Sequence, residues 1–138
     1  CVVLIKGVIL VGVGRNLNRA IRTCYSFGVY DLYCLNCAGQ TKGNLYSAVD
    51  KIRVHIINSL EDFNSSEILA LEINSQHQSI RDCSLTDIKY IAIGGESMTL
   101  RKKDFIHMAQ IPTSNKLCLT TEAALAIALY DLAGRDML

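Results

Sequence analysis

The stretch Val2-Val-Leu-Ile-Lys-Gly-Val-Ile-Leu-Val-Gly-Val-Gly14, followed at once by Arg15-Asn-Leu-Asn-Arg-Ala-Ile-Arg-Thr-Cys-Tyr-Ser-Phe-Gly28, decides the fold. Val2–Val13 is apolar almost throughout and does not alternate. Its Val and Ile content predicts a strand buried on both faces, closed by Gly12 and Gly14. Arg15–Phe27 switches to helical spacing, and Gly28 suits a left-handed C-terminal cap. Outward from this pair the alternation continues. Leu32–Leu35 reads as a second strand, Gly39–Gly43 as a polar loop and Leu45–Lys51 as a weak helix. Strand three is Arg53–Ile57, Ser59–Phe63 a short capped helix, and strand four Ile68–Ile73, followed by polar Asn74–Ser79. Strand five is Tyr90–Ile93, ending in Gly94-Gly95. Leu100–Met108 is predicted helical, Gln110–Ile111 a short strand stopped by Pro112, and Thr121–Ala133 a helix. Strands alternating with helices predict an α/β fold with a mostly parallel sheet and helices on both faces.

Half of the 138 residues are hydrophobic and a fifth are charged, which excludes a disordered or low-complexity chain. The length predicts one domain over residues 1–138. A net charge of +1 gives no global attraction to nucleic acid or membrane, so any anionic partner needs a local patch. The apolar opening has no basic leader and is too short to span a bilayer, which takes about 20 apolar residues. The six cysteines show no disulfide-scaffold spacing and are read as reduced thiols of a cytoplasmic protein. A chain opening at Cys1 inside an apolar run has the look of a fragment.

Chemistry concentrates in a few places. At about 100° per residue, Arg15, Arg19 and Arg22 fall within a stripe about 60° wide, with Leu17, Ile21, Cys24 and Gly28 opposite. Guanidiniums on one face repel unless an anion or a carboxylate relieves them, and bidentate phosphate binding is what Arg does well. A plain solvated basic face is the competing reading. Ile91-Ala-Ile-Gly-Gly-Glu96 runs a strand into two glycines, which lets backbone N–H groups approach a ligand at the edge where open α/β sheets bind them. An ordinary turn accounts for it equally well. In Leu119-Thr-Thr-Glu122, Thr120 can cap the last helix and Glu122 suits its positive end. Gly12-Val-Gly14 lacks the third glycine of a dinucleotide fingerprint. On a strand, Cys34 and Cys37 would face opposite ways, and only a turn at Asn36 would bring them together. No second pair completes a zinc set, so no metal is expected. His55 reads as a strand residue and His77 as part of a polar loop.

Three segments carry a resemblance. One is Asn16-Leu-Asn-Arg-Ala-Ile-Arg22, an Asn with an Arg six residues on. Another is the strand ending Gly94-Gly-Glu96. The third is Ile111-Pro112, a short loop, then Cys118-Leu119-Thr120 entering an alanine-rich helix. In this order and spacing they resemble the SpoU–TrmH family of SPOUT-class RNA methyltransferases over nearly the whole chain. Thr99, Cys118 and Thr120 depart from the family pattern, as does Asn115, which stands for a loop Gly.

The resemblance implies a deep trefoil knot at the carboxyl end, against the general rule that chains do not thread loops. It implies S-adenosyl-L-methionine as cofactor, held at Gly94, Gly95, Ile111, Cys118 and Leu119, with Ile73 and Asn74 beside them. It also implies a homodimer through the first and last helices and tRNA or rRNA as the partner. The implied reaction is ribose 2′-O-methylation, with Arg22, Asn16 and Glu96 as the catalytic set and Arg15, Arg19 and Thr120 along the RNA. An Arg keeps its proton above about pH 12, so Arg22 would bind phosphate and stabilise a developing alkoxide rather than act as a free base. Methylation of an RNA base and RNA or protein binding without catalysis are the alternatives.

Overall fold

Gly7–Val11 forms β1, and all five residues are buried. Val8 and Leu10 point into one apolar cluster and Ile9 and Val11 into another, on opposite faces of the sheet. That is why this stretch is apolar without alternation. The computed structural model describes residues 4–14, 17–37, 51–72, 76–95, 100–101, 103–115 and 119–138. Within them, β1 is followed by α1 (Leu17–Ser26), β2 (Asp31–Leu35), β3 (Arg53–Ile57) and β4 (Ile68–Leu71). Then come β5 (Gln78–Ser79), β6 (Tyr90–Gly94), β7 (His107–Gln110) and α2 (Thr121–Gly134). The sheet order is β3-β2-β1-β6-β4-β7-β5, and every pairing is parallel. The α/β reading with a mostly parallel sheet is therefore right.

Both described α-helices pack on the same face. Leu17, Ala20, Ile21 and Cys24 of α1 share a cluster with Leu125, Ala128, Leu129 and Leu132 of α2. The other face is covered by Leu60, Phe63, Leu100 and Phe105 from connecting segments. Tyr33, Phe63 and Tyr90 pack edge to face there, with ring centroids 4.9–5.9 Å apart. No helix among the described residues is long and apolar enough to cross a membrane.

Several element expectations are corrected. Residues 59–63 form a turn, closed by Phe63 N–H to the Leu60 carbonyl at 3.1 Å, and not a helix. Leu60 and Phe63 are held by the sheet face beneath them. Leu100–Met108 is not helical either. Leu100 and Phe105 bury at a five-residue spacing that no helix face offers, and His107–Gln110 joins the sheet between β4 and β5. The polar stretch Asn74–Ser79 contains the edge strand β5. His77 is buried, and its carbonyl accepts from Gln110 Nε2 at 2.7 Å. The weak helix expected at Leu45–Lys51 and the loop Gly39–Gly43 lie, but for Lys51, outside the described residues.

The end of α2 is clasped. Arg135 donates to the carbonyls of Ile80 (2.7 Å), Arg81 (3.0 Å) and Cys83 (2.8 Å), and its Nε pairs with Asp131 at 2.9 Å. Met137, beyond it, accepts from Ile5 N–H at 2.8 Å.

Candidate functional site

Because every strand runs the same way, the carboxyl ends of β1, β2, β4, β6 and β7 lie along one edge. Backbone bonds continue past the strands there. Gly12 N–H donates to Leu35 at 2.8 Å, Gly95 N–H to Val11 at 2.9 Å and Glu72 N–H to Ala109 at 3.0 Å. Gly95 meets the β1 exit so closely that a Cβ on it would lie 2.4 Å from the Gly12 carbonyl oxygen. Gly12 itself has φ of 66°, a left-handed conformation that glycine adopts freely. The two strand exits are fitted backbone to backbone.

The start of α2 is fixed to the same place. Thr121, 2% exposed, donates its hydroxyl to the Gly94 carbonyl at 3.1 Å. Thr120 caps the helix as anticipated, its hydroxyl oxygen accepting from Ala123 N–H at 3.3 Å. Glu122, in the first turn, reaches Arg19 of α1 at 3.7 Å. Gly94, Gly95, Thr120 and Arg19 are thus brought around one helix end. Leu119, two residues before the helix, and Ile111, ten residues before it, are both half-buried.

α1 presents the two sides its sequence requires. Leu17, Ala20, Ile21 and Cys24 are buried, whereas Arg19 and Arg22 are exposed. Burial pushes the Cys24 thiol up to about 12. The helix begins where Leu17 N–H bonds the Gly14 carbonyl at 3.3 Å. Arg22 lies about 7.5 Å further along the axis at 1.5 Å per residue. Gly28, at φ 75°, ends the helix, with Val29 N–H reaching back to Cys24 and Gly28 N–H to Tyr25. The carboxylate foreseen as relief for the Arg stripe is Glu122. An exposed pair like this one is worth only about 0–1 kcal/mol, so a phosphate can take its place.

Of the two arrangements open to Cys34 and Cys37, the structure takes the turn at Asn36. Cys34 and Cys37 do not face apart: β2 stops at Leu35, and Asn36 turns the chain at φ 55°. The Cys37 thiol consequently turns back to donate to the Leu10 carbonyl at 3.4 Å and the Leu35 carbonyl at 3.7 Å, packed on the cluster that holds Cys34. Among the described residues no cluster of three His, Cys, Asp or Glu side chains could hold a metal. Asn115 is not left-handed, so the loop makes no glycine-like demand there.

Arg15, Asn16, Ile73, Asn74, Glu96, Thr99 and Cys118 lie outside the described residues. Two residues of this edge escaped the sequence reading. Thr121 is a hydroxyl on the buried face otherwise made of Leu125, Ala128, Leu129 and Leu132, and that oddity was the available signal. Glu72, at the β4 exit, accepts from Leu100 N–H at 2.9 Å, which no local pattern announces.

No protein-family model and no curated protein matches the sequence. Solved structures do match the fold. The TrmH/SpoU tRNA modifying enzyme of A. aeolicus superposes with a TM-score of 0.74 at 18% identity, over 97% of this chain and 79% of that one. The SpoU methyltransferase AviRb from Streptomyces viridochromogenes, solved in complex with the cofactor AdoMet, gives 0.79 at 14% identity, over 96% of this chain. The chain spans 58% of AviRb's length. A structure concerned with the 2-OH methylation of C/U34 on tRNA gives 0.77 at 16% identity, over 94% of this chain and 89% of that one. The fold is that of the SpoU/TrmH RNA methyltransferases.

Proposed function

We propose that this chain is an S-adenosyl-L-methionine-dependent RNA methyltransferase acting on a ribose 2′-hydroxyl of tRNA or rRNA. The observation that carries the reading is the meeting of three things at one edge: the Gly94-Gly95 exit, the start of α2 and the basic side of α1. The residues fit an adenosine-bearing ligand. Glycine backbone at Gly94 and Gly95 offers polar groups, and half-buried Ile111 and Leu119 offer apolar walls. Cys118, Ile73 and Asn74 complete the cofactor set in this reading. When bound, the cofactor supplies an electrophilic sulfonium methyl. The protein's task is then to place a weak nucleophile and stabilise the charge it develops.

Arg22 performs that task by holding the neighbouring RNA phosphate and the developing alkoxide in its planar fork. Asn16 positions Arg22 or the ribose, and Glu96 holds the cofactor loop. Arg15 and Arg19 follow the RNA backbone, with phosphate displacing Glu122 from Arg19. Thr120, its oxygen occupied by the cap, keeps its O–H to donate to RNA. The active unit is a homodimer through α1 and α2. The support is α2 itself, apolar nearly all round, with Ile127 and Tyr130 exposed on the side away from the core.

Calorimetric titration with S-adenosylhomocysteine tests the reading. Binding in the micromolar range without added metal is expected. A folded protein that gives no heat at tens of micromolar is a binding domain without this chemistry. With RNA as acceptor, a methyl found on a base instead of the ribose oxygen moves the activity to the base-methylating alternative.

A further inference from the structure

We propose that Cys34 and Cys37 are a reversible dithiol–disulfide pair, oxidised by small-molecule disulfides, whose state is felt by the loop between β1 and α1. The two are three residues apart, and the left-handed Asn36 folds the chain so that Cys37 packs back on the cluster that holds Cys34, its sulphur 3.4 Å from the carbonyl of Leu10, the residue paired with Cys34 in the sheet. Their exposure differs in the way a stepwise exchange needs. Cys34 is 1% exposed, while Cys37 is only half-buried. Cys37 is the sulphur an outside disulfide can reach, and Cys34 the one waiting behind it.

The surroundings grade their reactivity in the same order. The neighbouring Cys34 thiol and the backbone at Val13, Gly12 and Leu35 favour the Cys37 thiolate over its burial and lower its pKa from the ordinary thiol value. Cys34 is pushed up, first by its pairing with Cys37 and then by burial. Cys24, the nearby third thiol, is buried and held up, so it does not compete as a nucleophile. The exchange balances. Cys37 thiolate attacks one sulphur of glutathione disulfide, forming a mixed disulfide and releasing a glutathione thiolate. That thiolate takes the Cys34 proton, and the Cys34 sulphur attacks Cys37 and expels the second glutathione. Two protein thiols are oxidised and one disulfide is reduced to two thiols.

The consequence for the loop follows from what Cys37 touches. Its thiol donates to the Leu10 carbonyl at 3.4 Å and to the Leu35 carbonyl at 3.7 Å, and that Leu35 carbonyl also accepts Gly12 N–H at 2.8 Å. Drawing it to the bonded distance of about 2.05 Å from Cys34 takes it from those groups. Gly12 presents the carbonyl against which Gly95 sits. Oxidation therefore loosens the fit between the two strand exits. An effect on cofactor binding rests in addition on the function proposed above.

The test equilibrates the full chain with glutathione disulfide, then alkylates free thiols for intact-mass and peptide analysis. The expected product has lost two alkylatable thiols, carries a Cys34–Cys37 link and reverts in dithiothreitol. Cys34→Ala should stop at a mixed disulfide on Cys37, and Cys37→Ser should leave Cys34 alkylatable. Free Cys34 and Cys37 after full oxidation, or a link to any other cysteine, overturns the pair. Hydrogen exchange at the amides of residues 12–14 reads the loop directly: faster exchange in the oxidised form is expected, and unchanged exchange overturns the coupling. S-adenosylhomocysteine should bind the oxidised form several-fold more weakly. If the reduced form binds none, the methyltransferase reading fails, while mass and exchange still decide the redox pair.

Discussion

Gly95 and Arg22 separate fit from chemistry at the scale of single residues. A methyl group on Gly95 would overlap the Gly12 carbonyl, which belongs to backbone and cannot turn aside. Gly95→Ala should cost about 1–3 kcal/mol of stability and weaken S-adenosylhomocysteine binding at least tenfold, read by melting temperature and calorimetry. Gly14→Ala is the control, since its Cβ would meet nothing among the described residues within 4 Å. Normal binding by the Gly95 variant would show that the tight fit is not needed for the ligand. Arg22 is the opposite case. It lies on the exposed side of α1, so Arg22→Ala should shift stability by less than about 0.5–1 kcal/mol. Methyl transfer should nevertheless fall roughly 100- to 1000-fold, as when one transition-state donor is lost. Arg22→Lys should recover little, because an ammonium is not a fork. Near-normal transfer by the alanine variant would remove Arg22 from the mechanism.

Between elements, the outer pair β2–β3 is joined by charge as well as by backbone. Arg53 holds Asp31 through both carboxylate oxygens at 2.8 and 2.7 Å, and His55 reaches it at 2.9 Å. The Arg53 hydrogen bonds lead in bringing the Asp31 carboxyl down from 3.8 to about 2, His55 adds to them, and desolvation opposes them. A lowered carboxylate pKa stabilises the fold above its unfolded value, and that contribution fades as pH drops through the folded one. Melting temperature should therefore fall more steeply between about pH 4 and pH 2 in wild type than in Asp31→Asn. Identical slopes would mean the pair does not bind the strands in solution. The elements that were legible in the sequence are those whose signal is local. β1, α1 with its Gly28 cap, β3 and α2 each declare themselves through continuous apolarity, helical spacing or a capping residue. Segments 59–63 and 100–108 misled because their shape is set by the sheet face that Leu60, Phe63, Leu100 and Phe105 cover. Likewise Thr121 and Glu72 acquire their roles only from partners 27 and 28 residues away. For Cys34 and Cys37 strand and turn stayed open in the sequence, and one backbone angle at Asn36 decides between them, since a strand that ends at Leu35 no longer alternates its side chains.

For the whole molecule, the exposed side of α2 makes association the expected state. Tyr130 is 75% exposed on a helix with hardly a polar side. Light scattering should give about twice the chain mass, and Tyr130→Glu should shift it towards one chain with little change in cofactor binding. A wild-type monomer at every concentration would defeat the twofold assembly. The sheet order carries a different consequence, for how the chain is made. β1 sits between β2, close behind it in sequence, and β6, about 80 residues later. During synthesis at roughly 5–20 residues per second, β1 therefore waits about 4–16 s for the strand that closes its second side. Through that interval Gly7–Val11 offers an unpaired Val- and Ile-rich edge, of the kind that pairs with neighbouring chains. A ribosome that pauses between Leu35 and Gly94 prolongs that exposure, so slow decoding of that stretch should send more of this protein to aggregates than slow decoding of α2.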